Sequence, residues 1–188
     1  MTDHEQLHNQ LVAILAERSA RKGEFTLASG ARSTLYIDAR VTAMSPDGLV
    51  LIGPLALWAI ADAKWRADSV GGLTLGADPV SYAIAYASAL AGTPIRAFTV
   101  RKKAKAHGTG KLIEGPFCQS DRVVVIEDVI TTGGSALKAI DAVESAGASV
   151  VGVLSLVDRE EGGRDRIESA GHAVRSLVTV SEIVARMQ

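Results

Sequence analysis

Cysteine occurs once in the 188 residues, at Cys118, so no internal disulfide can form and a reducing, cytoplasmic setting is expected. The four histidines are scattered, without the CxxC or HExxH spacing of common zinc sites. Neither sign of charge is in excess: 20 Lys plus Arg against 21 Asp plus Glu leave a net charge of -1. That balance argues against a bulk binder of nucleic acid or acidic membrane, so any anion site must be local. Long apolar runs are also missing. The longest charge-free stretches, residues 48–61 and 79–95, fall short of the ~20 residues a membrane helix needs and contain Pro or Gly. The first ten residues are polar and acidic, so no secretory signal is expected. There is no repeat, low-complexity tract or Pro-rich linker, and the length suits one domain, residues 1–188.

What is present is a rhythm. Leu7, Leu11, Val12, Ile14 and Leu15 form a helical stripe within residues 5–19. Residues 23–38 read as strand, turn, strand, and residues 47–67 as a helix capped by Ser45 or Asp47. Apolar runs at 70–75, 95–100, 122–126 and 149–157 then alternate with helical segments, one ending at about residue 90 and one spanning 135–146, where Gly147 stops it. Strand, helix, strand units of this kind predict an α/β fold with a central, mainly parallel sheet flanked by helices, whose sites lie where strands end. Residues 101–116, polar and Gly-rich, are too long for an ordinary connection and read as a functional loop.

Two segments carry chemistry. In VVVIEDVITTGGS, residues 123–135, an apolar strand delivers Glu127 and Asp128 and then Thr131, Thr132, Gly133, Gly134 and Ser135 ahead of a helix. Backbone N–H groups at a helix start, with hydroxyls beside them, suit a phosphate monoester. Carboxylates suit hydroxyls, so acids next to a phosphate nest point to a ribose phosphate held at both ends. The second segment holds Arg101, Lys102, Lys103, Lys105 and Lys111, five of the 20 basic residues, within eleven positions that contain no acid and include His107. Gly108 and Gly110 disfavour a helix there, and the cluster reads as an anion clamp rather than a solvated face. GTGK at 108–111 is not a nucleotide loop, because Lys105 stands where its first glycine belongs and Leu112 replaces Ser or Thr.

The 123–135 string resembles the phosphoribosyl pyrophosphate (PRPP) signature of the type I phosphoribosyltransferases, and RKKAKAHG resembles the catalytic loop of the orotate enzymes among them. The resemblance runs from about residue 7 to 178. It implies the type I phosphoribosyltransferase fold, with a small N-terminal hood at about residues 1–40 and a flexible loop at 101–116. It assigns Arg101, Lys102, Lys105 and His107 to catalysis and to PRPP and pyrophosphate contacts, and leaves Lys103 as a surface charge. PRPP contacts are further implied for Glu127, Asp128, Val129, Ile130, Thr131, Thr132, Gly133, Gly134 and Ser135. Orotate contacts are implied for Arg159, whose planar fork suits a carboxylate, for Thr131, and for the backbone at Tyr36 and Ile37. Two departures stand out: Ala28 and Gly76 occupy places where many members carry Lys.

Conversion of orotate and PRPP to orotidine 5'-monophosphate and pyrophosphate is the implied activity, in UMP biosynthesis. Mg2+ is the implied cofactor, riding on PRPP oxygens and waters rather than on direct protein ligands. A homodimer with shared active sites is implied as well, with no nucleic-acid or membrane partner. A phosphoribosyltransferase for another base would differ at the hood and at Arg159. A PRPP-sensing nucleic-acid regulator would need a basic face away from the site, which the charge balance disfavours.

Overall fold

The computed structural model describes residues 3–26, 32–103 and 112–187. Helix α1 (Asp3–Ile14) buries Leu11, Val12 and Ile14, and a π-helical turn (Leu15–Ser19) continues the stripe with Leu15 and Ala16. Strands β1 (Ala20–Thr26) and β2 (Arg32–Ile37) pair antiparallel as a separate two-stranded sheet, with a register shift between Lys22 and Phe25. After the short α2 (Arg40–Ala43), α3 (Pro46–Asp62) starts where the Oγ of Ser45 accepts the Gly48 N–H at 3.0 Å, with Pro46 in the first turn.

Helix α3 stops at Asp62 instead of running to residue 67. Lys64 adopts a left-handed φ of 58°, and Trp65 folds back so that its N–H meets the Ile60 carbonyl at 3.1 Å. No Gly or Pro marks this end; the Trp65 ring, packed over Gly152, fixes it through tertiary contact.

The main sheet has six strands in the order β5-β4-β3-β6-β7-β8. They are β3 (Ser69–Leu73), β4 (Arg96–Val100), β5 (Ile113–Glu114), β6 (Arg122–Ile130), β7 (Ser149–Asp158) and β8 (Val174–Thr179). All pairings are parallel except β4 with β5. Helices α4 (Ala77–Leu90), α5 (Gly134–Ser145), α6 (Gly163–Ser169) and α7 (Val180–Arg186) complete the layers. Alternation along β6 explains why both faces are covered: Val124 and Ile126 join a core with α1, α3 and α4, while Val123 and Val125 join a second core with α5 and α6. From the central pair β3 and β6, the order runs outward in opposite directions, which opens a crevice between their carboxyl ends.

Three expectations need correction. Strand β6 continues to Ile130 rather than ending at 126, because β7 pairs with it up to Ile130 while β3 leaves it after Val125. Glu127 and Asp128 therefore sit inside a strand, beyond the point where β3 leaves it. The far end of the 101–116 segment is ordered: Ile113 and Glu114 pair with Val100 and Thr99, and the Arg101 N–H meets the Leu112 carbonyl at 2.9 Å. Finally, α6, β8 and α7 lie beyond the runs recognised by periodicity, although Thr179 and Glu182 form a capping box at the start of α7. Among the described residues no helix is long and apolar enough to cross a membrane.

Candidate active site

The crevice holds a cleft of about 380 Å³ lined by Tyr36, Ile37, Asp38, Ala39, Arg40, residues 127–135 and Arg159. Its floor is the turn from β6 into α5. Gly133 takes a left-handed φ of 73°, and a Cβ there would lie 2.8 Å from the Gly163 carbonyl oxygen, so only glycine closes this turn against α6. The Thr132, Gly133 and Gly134 N–H groups form no backbone hydrogen bonds among the described residues, and they open at the positive end of α5. Arg166 of α6 braces the loop by donating from Nη1 to the Thr132 carbonyl at 3.1 Å.

The acid pair sits in a poorly solvated part of the cleft. Burial pushes the Glu127 carboxyl well above the ordinary range, and the neighbouring Asp128 charge pushes it further. Its Oε2 is shut off from solvent and has no hydrogen-bond partner. Burial also raises Asp128, opposed by N–H donation from Val129 at 3.0 Å, by the bond to Glu127 and by the positive charge of Arg40. A carboxyl held toward its protonated form beside a second acid can both donate to and accept from ligand hydroxyls. Among the described residues no three His, Cys, Asp or Glu side chains gather as a metal cluster.

Opposite this floor, Asp38 holds Arg40 through Nε at 2.8 Å and Nη2 at 2.9 Å, which keeps the Asp38 carboxyl below its usual range. Tyr36 lies at the rim with its ring tilted against Phe25. Arg159, 7% exposed, donates from Nε and Nη2 to the same Glu161 oxygen at 3.1 and 2.5 Å. The preceding Asp158 is buried and tied to Arg164 at 2.8 Å, which anchors the chain on which Arg159 stands.

The structure thus brings together Tyr36, Ile37, residues 127–135 and Arg159. Within that group the Ile130 side chain belongs to the second core, leaving its backbone to face the cleft. Arg101 and Lys102 do not join them; they line a different cavity of about 730 Å³, together with Lys138 and Asp141. Lys105, His107, Lys111 and Ala28 lie outside the described residues. Sequence reasoning missed Arg40, Glu161 and Arg166. The first was signalled by an acid and a base two apart directly after Tyr36 and Ile37, and Glu161 by standing two residues from Arg159, whereas Arg166 emerges only once α6 packs on the turn from β6 into α5.

The residues from α3 through β8 are those of a known domain: the family described as phosphoribosyl transferase domain matches residues 47–181, and the chain belongs to it. An orotate phosphoribosyltransferase of Aquifex aeolicus is 43% identical over 178 residues, 93% of this chain and 96% of its own. The crystal structure of the Mycobacterium tuberculosis H37Rv orotate phosphoribosyltransferase superposes with a TM-score of 0.84 at 43% identity, covering 94% and 98% of the two chains. The same enzyme solved in complex with PRPP gives 0.78 at 37% identity, covering 95% and 92%. Within the domain family, this chain's branch is the orotate phosphoribosyltransferases.

Proposed function

We propose that the protein transfers the 5-phosphoribosyl group from PRPP to orotate, forming orotidine 5'-monophosphate and pyrophosphate in UMP biosynthesis. One observation carries the reading: a turn rich in N–H groups and hydroxyls, a half-buried acid pair and a nearly buried arginine line one cleft. The 5'-phosphate occupies the N–H groups and hydroxyls of residues 131–135. Glu127 and Asp128 take the ribose hydroxyls. Arg159 binds the orotate carboxylate, with the Tyr36 and Ile37 backbone and Thr131 at the pyrimidine edge.

In the reaction the anomeric carbon loses its bond to the diphosphate oxygen and gains one to the ring nitrogen N1 of orotate, whose proton is released. Positive charge grows on the ribose ring and negative charge on the leaving diphosphate. The protein's contribution is positional and electrostatic, since orotate supplies the nucleophile. Asp128 opposes the ring's positive charge, and Arg101, Lys102, Lys105 and His107 meet the diphosphate. The acid pair is too small for a dedicated cage, and it fits Mg2+ reached through substrate oxygens and waters; the ion supplies positive charge on the diphosphate.

Arg101 and Lys102 line a cavity other than the cleft of their own chain, which favours a homodimer in which the loop of one subunit serves its neighbour. An exposed apolar stripe supports this reading: Tyr82, Tyr86 and Leu90 follow one another at four-residue spacing on α4, 54%, 70% and 73% exposed. Mixing a Lys105→Ala protein with an Asp128→Asn protein restores activity if sites are shared, and restores none if each subunit is self-sufficient. The whole chain, hood included, acts in this reading as a single cytoplasmic domain. The primary test is loss of the orotate ultraviolet band with Mg-PRPP, with uracil and purines as controls; an unchanged band with orotate rejects the assignment.

A further inference from the structure

Arg40 has a place in the cleft that the roles above leave unused. It opens α2 directly after the hood strand β2, and its side chain is 45% exposed. Asp38 accepts from its backbone N at 3.2 Å, its Nε at 2.8 Å and its Nη2 at 2.9 Å. One edge of the guanidinium is therefore fixed before any ligand arrives, while Nη1 makes no hydrogen bond among the described residues. A planar cation held in this way presents its remaining donors in a set direction, at small entropic cost on binding.

The charges around it say what it faces. Of the residues lining the cleft, only Arg40 and Arg159 are basic. Arg159 is nearly buried and held by Glu161, and the phosphate turn offers N–H groups and hydroxyls but no cation. The β3–α4 turn adds none, since position 76 is a glycine, where a Cβ would lie 2.3 Å from the Asp128 carboxylate. Arg40 is close enough that its charge acts on that same carboxylate. A ligand with a phosphate on residues 131–135 and its sugar on the acid pair carries a second anionic group past Asp128. Arg40 is the cation of the cleft on that wall.

We propose that Arg40 is a substrate contact that binds the diphosphate of PRPP and holds it as it leaves, supplying from the hood a charge that the β3–α4 turn lacks. This rests on the PRPP reading of the cleft and adds a residue to it. Arg40→Gln is expected to raise the KM for PRPP at least tenfold and to weaken Mg-pyrophosphate binding in calorimetry by a similar factor, with the KM for orotate within twofold of the parent. Arg40→Lys restores part of the binding, as a point charge without the fork. If Arg40→Gln melts early, the Lys variant and Asp38→Asn, which keeps the cation but frees its edge, carry the test through smaller rises in the PRPP KM. Unchanged pyrophosphate binding in all of these, or a rise confined to orotate, overturns the proposal. The titration needs no base, so a parent that binds Mg-pyrophosphate but spares orotate refutes the choice of base alone.

Discussion

Strands β6 and β4 belong to one parallel sheet, and both run from the core into charge, yet they deliver it in opposite ways. β6 carries Glu127 and Asp128 inside the strand, where low dielectric holds both carboxyls above their usual range. β4 ends at the buried Val100 and releases Arg101, Lys102 and Lys103 toward solvent. There Arg101 meets Glu114 at 3.4 Å, a half-exposed pair of the kind that contributes roughly 0–1 kcal/mol. The acids are thus positioned by the fold itself, at a cost in burial. The bases stand past the strand's end, where the two-residue pairing of β5 and the Arg101 N–H on the Leu112 carbonyl hold their stem. A group that must recognise hydroxyls gains from being fixed and weakly acidic; groups that neutralise a departing diphosphate gain from full charge and freedom to approach.

Damage to the charged side should appear in turnover alone, and damage to the buried side in turnover and folding together. Lys105→Ala is expected to lower kcat by about 10²-fold or more, the usual effect of losing one donor to developing charge, with an unchanged melting temperature. A parallel fall in melting temperature would erase the contrast. Gly76→Ala comes next: its Cβ would enter the space of the Asp128 carboxylate, so urea unfolding should show a loss of about 1–3 kcal/mol, alongside reduced PRPP turnover. Equal stability of parent and variant would show that Asp128 can move aside freely, contrary to its fixed position.

The acid pair also sets a pH dependence. The folded state holds the Glu127 carboxyl above the 4.5 of an unperturbed glutamate, so folding favours its protonated form. That contribution is fully present below about pH 4, where the group is protonated in both states. It is lost as pH rises through the folded value, while the unfolded chain gains by ionising. Glu127→Gln removes the titration, so its melting temperature should exceed the parent's at pH 7 and converge with it near pH 4. Curves that stay parallel across that range would mean Glu127 ionises normally.

How much was legible in the sequence follows the same division. The β6 string was readable because strand, acids and phosphate turn are consecutive, and local geometry alone brings residues 127–135 to one end of one strand. Arg159 was placed by resemblance, and the fold sets it in the cleft because β7 pairs with β6 up to Asp158. The extent of β6 was not readable: Glu127 and Asp128 look like the end of a strand, and only pairing with β7 without β3 carries it to Ile130. Trp65 ending α3 against β7, and Arg166 bracing the phosphate turn from α6, are contacts between segments distant along the chain. Periodicity and spacing are local signals and hold no record of such contacts.

The smallest expected effect separates positioning from contact at Arg159. Glu161 accepts from both Nε and Nη2 of Arg159 through one oxygen, so it fixes the plane of the guanidinium while remaining 38% exposed itself. An exposed carboxylate holding a nearly buried arginine governs orientation more than net charge, because solvent screens its field at the cleft. Glu161→Gln keeps an acceptor of the same size but weakens the bond to the cation. The KM for orotate should rise by a few fold, about 1 kcal/mol or less, with kcat and the PRPP KM unchanged. A fall in the orotate KM would mean instead that Glu161 competes with the substrate carboxylate, making this arginine, unlike the half-buried acids of β6, a group restrained in the free enzyme and released by its ligand.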